Sequence, residues 1–170
     1  RLKENEEYLW SLADQVLDEF FDDEHCEFLG QYAKPFATLA ITDLLGVPEE
    51  DREEFRFALG AAERSGIPVG ALDHRTVAVN PLEYLDDRFS GYLAERRREP
   101  RGDILSGLAA ATYPDGSTPE LLELVRPATF LFAAGQETVT KLLSSALRVL
   151  CERPEYQKIL REDRSLVKPF

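Results

Sequence analysis

The sequence predicts an all-α fold, and three observations carry that reading. Apolar residues recur at three- and four-residue intervals along most of the chain, the spacing of a buried helix stripe. Strand signals are nearly absent, and no internal repeat is found. One helical pattern runs from about Ser117 to Cys151 and would reach ~50 Å at ~1.5 Å per residue. The rest of the chain is expected to pack around it. With 170 residues the chain can bury one sizeable core, so a single unit spanning 1–170 is expected.

The first helix is expected over Glu4–Phe21, burying Leu9, Leu12, Ala13, Val16, Leu17 and Phe20 and ending at Asp22-Asp23-Glu24. A second pattern, Phe28 to Leu45, is broken by Pro35 and stopped by Gly46-Val47-Pro48. Pro48-Glu49-Glu50-Asp51 suits the first turn of a third helix, where acids complement the positive end; that helix runs to about Arg64. Residues 65–80 carry Gly66, Pro68 and Gly70 and little periodicity, so a loop is expected there. Pro81 to Arg98 reads as a fourth helix with Leu82, Leu85, Phe89, Tyr92 and Leu93 on its buried side. Its closing run, Arg96-Arg97-Arg98, reads as cations complementing the helix dipole.

Pro100-Arg101-Gly102 breaks the pattern, and Asp103 is a plausible cap for a short helix through Ala111. Tyr113-Pro114-Asp115-Gly116 is a turn, since Pro presets one torsion and Gly permits another. Ser117-Thr118-Pro119-Glu120 fits a capping-box start for the central helix. Pro127 removes one backbone hydrogen bond inside it, so a kink or break is expected near 123–127. A final short helix comes after Arg153-Pro154 and ends near Arg161.

Charge narrows the function classes. Twenty basic against 32 acidic residues leave a net charge of −12, which argues against nucleic acid or an anionic membrane as partner. The longest uncharged run, Pro127 to Gln136, is too short to span a bilayer, and no signal peptide is expected. Cys26 and Cys151 lie far apart without metal-ligand spacing, so reduced thiols in a cytoplasmic protein are the simple reading. His25 and His74 belong to no ligand constellation and are expected at surface or loop positions. The chain has no methionine, so a processed or truncated product is expected.

The chemistry-bearing stretch is Phe130-Leu131-Phe132-Ala133-Ala134-Gly135-Gln136-Glu137-Thr138. Its first half leaves no polar face, which predicts burial on all sides. An amide, an acid and a hydroxyl then enter the same segment. Buried polar groups cost free energy unless satisfied, so this trio is either solvent-facing or functional. Thr138 lies four residues after Ala134, so its hydroxyl can bond back to that carbonyl.

Ala134-Gly135-Gln136-Glu137-Thr138 resembles the central-helix signature of cytochrome P450s, Ala/Gly-Gly-x-Asp/Glu-Thr. Leu147 to Gln157 is a leucine-ended helix, then a Pro and a short Gln-containing helix, and resembles the family's segment downstream of that signature. Ile41-Thr42-Asp43-Leu44-Leu45-Gly46-Val47-Pro48-Glu49-Glu50-Asp51 resembles the turn that bacterial members carry upstream. The match covers essentially the whole chain and implies helices D to J of the P450 helical core around its long central (I) helix. Residues 65–80 would be the loop that roofs the substrate pocket.

The resemblance implies a haem-thiolate monooxygenase that inserts one oxygen atom from dioxygen into a small apolar substrate. Its cofactor would be haem (heme b, iron protoporphyrin IX), and its electron donor a ferredoxin-type partner. Ala134 and Gly135 would line the haem face, with Thr138 hydrogen-bonding there and Glu137 relaying protons. Phe130 and Ala133 would face a flat or extended substrate. The family's haem-ligand loop with its axial Cys, its Glu-x-x-Arg helix and its N-terminal sheet region have no counterpart in these residues. No metal ligand is therefore expected here, and the segment alone is expected to be inactive. The rival reading is a non-catalytic helical bundle acting as a binding or interaction module. Burial of Gly135 to Thr138 beside a cavity, as against solvent exposure, is the discriminating observation.

Overall fold

The computed structural model describes residues 5–64 and 81–168. The loop expected at 65–80, and His74 within it, lie outside the described residues. Those described contain no strand and fold as helices: α1 Glu6–Asp18, α2 Lys34–Leu45, α3 Glu49–Arg64, α4 Pro81–Arg98, α5 Ile104–Ala109, α6 Leu121–Glu152 and α7 Pro154–Glu162. The all-α reading therefore stands. Among the described residues no helix is long and apolar enough to cross a membrane.

α6 is the axis, with α2 and α4 packed along it. Leu124, Val125, Ala128 and Phe132 form its buried stripe, and Phe132 meets Phe55 of α3 and Phe89 of α4 at ring-centroid distances of 5.7 and 6.0 Å. A smaller cluster joins α1 to α2 through Leu12, Val16 and Leu39.

Several local expectations need correction. Leu17 of α1 is exposed, and so is Leu82 of α4, which edges a groove between α4 and α6. The segment before Pro35 is a π-helical turn, Leu29–Ala33, running straight into α2. Glu27 caps that turn, accepting from the backbone N–H groups of Leu29 and Gly30 at 3.1 and 2.7 Å. Lys34 N–H still donates to the Leu29 carbonyl, and Pro35, which has no N–H, stands where that five-residue pattern ends and α2 begins.

Ser117 does not start the central helix. Its N–H and hydroxyl both donate to Asp115 Oδ1, at 2.8 and 2.6 Å, and its carbonyl accepts from Tyr113 N–H at 2.8 Å. Held in that turn, it cannot cap. The capping box is instead Glu120 with Glu123, the latter accepting from Glu120 N–H at 2.8 Å. α6 also runs through Pro127 without a break. The carbonyl left without a donor is that of Glu123; both residues are exposed, so water can take it.

Arg96 is the largest departure. It is not a dipole-complementing surface cation but is 1% exposed. Its Nε donates to Asp103 Oδ2 at 2.8 Å and its Nη2 to the Gly46 carbonyl at 2.8 Å. Asp103 caps α5 as expected, its Oδ1 accepting from Ser106 N–H at 2.7 Å. Gly46 closes α2 at φ 96°, and a Cβ there would stand 2.3 Å from Asp103 Cβ, so only glycine fits. Three helix ends thus meet at one buried guanidinium.

That junction gives a pH prediction. Burial pushes the Asp103 carboxyl up, but hydrogen bonds from Ser106 and Arg96 outweigh it and hold the carboxyl below its usual range. A depressed folded value contributes stability above the unfolded pKa, and the contribution is lost as pH falls through the folded one. Asp103→Asn, which keeps the cap, is expected to flatten acid unfolding below about pH 4. An unchanged acid limb in a pH series of urea melts would remove Asp103 from that role.

Candidate functional site

The faces of α6 derive from 3.6 residues per turn. One face carries the core stripe. Phe130, Ala134 and Thr138, spaced by four, share another, bordered by Leu131 and Leu142. Phe130 is 70%, Leu142 68% and Leu131 40% exposed. The expectation of a segment buried on every side is therefore wrong: α2 and α4 cover one side of α6, and this apolar side is uncovered among the described residues.

Thr138 is exposed, and its hydroxyl donates to the Ala134 carbonyl at 2.7 Å, with the Gly135 carbonyl at 3.3 Å. The back-bond expected from the spacing is present. Glu137 is also exposed and pairs with Lys141 one turn on, Nζ to Oε1 2.5 Å. The Lys141 ammonium, donating a hydrogen bond, holds that carboxyl below the usual range. Exposure of Glu137 and Thr138 is the outcome that the helical-bundle reading expected, and this observation taken alone favours that reading.

Gly135 faces away from this surface. A Cβ there would lie 2.7 Å from Ile41 Cδ1 and 3.0 Å from Ile41 Cγ1, on α2. Its missing side chain makes room for Ile41 of α2, so the position serves helix packing. Ala134, half-buried, remains on the Thr138 side.

Ala133 lines a groove of ≈490 Å³ with Leu85, Phe132, Gln136, Glu137 and Thr140. Phe130 is not part of it, so these two predicted substrate contacts do not share one pocket. The Thr140 hydroxyl is buried there without a hydrogen-bond partner among the described residues. Sequence reasoning also missed Thr129, whose hydroxyl donates to Asp86 Oδ1 at 2.6 Å and ties α6 to α4. The available signal was an acid within the apolar spacing of α4 opposite a hydroxyl within the apolar run of α6.

Among the described residues no group of His, Cys, Asp and Glu could hold a metal. Cys26 and Cys151 are free and exposed, and Cys151 lies about 20 Å along α6 from Thr138 at ~1.5 Å per residue. His25 is exposed, as expected. The uncovered apolar residues of this face are what a flat apolar group would lie against.

No protein-family model matches the chain. It is 32% identical over 168 residues to the vitamin D(3) 25-hydroxylase of Pseudonocardia autotrophica, covering 98% of this chain and 40% of that protein. With the biotin biosynthesis cytochrome P450 of Bacillus subtilis it shares 27% identity over 164 residues, 94% of this chain and 40% of that protein. The substrate-free structure of Mycobacterium marinum cytochrome P450 CYP150A6 superimposes with a TM-score of 0.80 at 58% identity, covering 98% of this chain and 36% of that one. The chain thus spans about 40% of the length of the named relatives it matches.

Proposed function

The chain belongs to the cytochrome P450 family, and on that premise we propose that it forms the oxygen-side wall of a haem-thiolate monooxygenase. The parent enzyme inserts one oxygen atom into a small apolar substrate. Dioxygen, a pair of electrons and a pair of protons enter with the substrate; the oxidised substrate and water leave. Bound haem supplies the redox chemistry that splits dioxygen, with its thiolate from outside this chain. A ferredoxin-type protein supplies the electrons. The reading places the enzyme in the cytoplasm, in keeping with two exposed thiols that form no disulfide.

One observation carries the assignment: a hydroxyl at Thr138, back-bonded to the Ala134 carbonyl, on the uncovered face of α6. Ala134 keeps that face low, so a flat group can approach the helix closely. Thr138 holds a proton donor at the surface, and its bond to the Ala134 carbonyl fixes the oxygen's position. Glu137, one residue back, exchanges protons with solvent and passes them toward Thr138. Its bond to Lys141 must open for this. Phe130 and Ala133 favour a flat or extended apolar substrate, with Phe130 on the cofactor side and Ala133 in the groove.

Thr138→Ala in the full-length enzyme tests the role. Product per electron pair is expected to fall ~10-fold, with hydrogen peroxide making up the difference, because positioned proton transfer typically contributes at least that much. Thr138→Ser is expected to retain most of the coupling. Unchanged coupling in the alanine variant would leave Thr138 without the proposed role and favour the binding-module reading.

A further inference from the structure

We infer that Ile41, on α2, is a positioning residue for Thr138. The inference rests on the role proposed for Thr138 as a proton donor. Ile41 is half-buried against the main core, and its Cδ1 and Cγ1 occupy the space that a side chain on Gly135 would take. The backbone beside it belongs to the turn that holds the hydroxyl: Thr138 Oγ1 donates to Ala134 O at 2.7 Å and has Gly135 O at 3.3 Å. The path is short and physical. Ile41 sets how closely Gly135 approaches α2, Gly135 sets where two carbonyls lie, and those carbonyls set the Thr138 hydroxyl.

Two features make this separable from ordinary packing. A Cβ added at Gly135 would meet chiefly the far end of the Ile41 side chain, which can shift, so a small change at either position costs the fold little. Proton delivery is less tolerant, because a displacement of about 1 Å at a reacting group can cost ~10²-fold in rate. Small changes in volume at residue 41 therefore act on coupling more than on stability. Leu39 provides the comparison: it is on the same helix and 4% exposed, but packs toward α1 with Leu12 and Val16.

The experiment uses the haem-loaded, full-length enzyme and the variants Ile41→Val, Ile41→Ala, Gly135→Ala, Gly135→Ala with Ile41→Val, and Leu39→Ala. Coupling, the resting absorption spectrum and the thermal midpoint are read for each. Coupling is expected to fall in order of volume lost at residue 41, by about 3-fold at alanine, with a shifted resting spectrum. Gly135→Ala is expected to lower the midpoint by about 2–4 °C, and Ile41→Val in the same chain to restore at least half of that and of the lost coupling. Leu39→Ala is expected to lower the midpoint at least as far while leaving coupling and spectrum unchanged. Wild-type coupling and spectrum in Ile41→Ala would overturn the inference. So would equal changes in Leu39→Ala, or strictly additive midpoints for positions 41 and 135. If Thr138→Ala itself keeps full coupling, the functional part falls with the reading beneath it, while the midpoints still report whether Ile41 and Gly135 touch.

Discussion

Arg96→Ala is expected to lower the stability of the full-length protein by about 3–5 kcal/mol, the range for breaking a buried ion pair from one side. The side chain is wholly enclosed, so water cannot replace it. Its removal leaves Asp103 without its cation and the Gly46 carbonyl without its donor, besides a cavity. Glu95 loses little, since its carboxylate stands 3.4 Å from Nη1 without hydrogen-bond geometry and also pairs with Arg101. Arg96→Met separates volume from charge: it fills most of the space and is expected to recover only a minor part of the loss. Arg96→Met with Asp103→Ser, which keeps a cap for α5, is expected to be more stable than Arg96→Met alone. A loss below about 1 kcal/mol in urea melts of Arg96→Ala would put this junction among ordinary surface pairs.

Arg96 also marks the limit of what the sequence discloses. α4 was legible from Pro81 to Arg98 because Pro81, the apolar spacing and Pro100 each act locally. Asp103 as a cap was legible for the same reason. That the first of three arginines turns inward depends on Gly46 and Asp103, which lie 50 and seven residues away. Ser117 misled by the opposite route, since a good capping residue was taken by a competing Asp115 turn. At the site, the Thr138 back-bond was legible from a spacing of four. The face that Gly135 presents was not, because a missing side chain carries no record of which neighbour uses the space. Phe130 and Leu131 read as buried because they are apolar; their exposure reflects what packs on α6 among the described residues, which no local pattern encodes.

The attachment of α3 depends on magnitudes in a similar way. Charged contacts tie it on three sides: Arg52 to Asp43 of α2 at 2.8 Å, Arg56 to Glu19 just past α1, and Arg88 of α4 to Asp51 and Glu54. Partly exposed pairs of this kind contribute about 0–1 kcal/mol each. Phe55 is the one fully buried side chain among those described on α3, at 0% exposure. Its ring meets Tyr84, Phe89 and Phe132 at 5.4, 5.9 and 5.7 Å. Phe55→Ala is therefore expected to cost about 3–5 kcal/mol, the range for emptying a buried phenyl site. Phe55→Leu is expected to cost under about 1.5 kcal/mol, because it keeps the apolar volume. The loss should also be local first. With the aromatic pin gone, amides of α3 are expected to exchange faster before those of α6 change, and added salt should widen the gap by screening the remaining pairs. If α3 in Phe55→Ala keeps its protection at low salt and loses it when salt is added, then the ion pairs and not Phe55 hold this helix to the bundle.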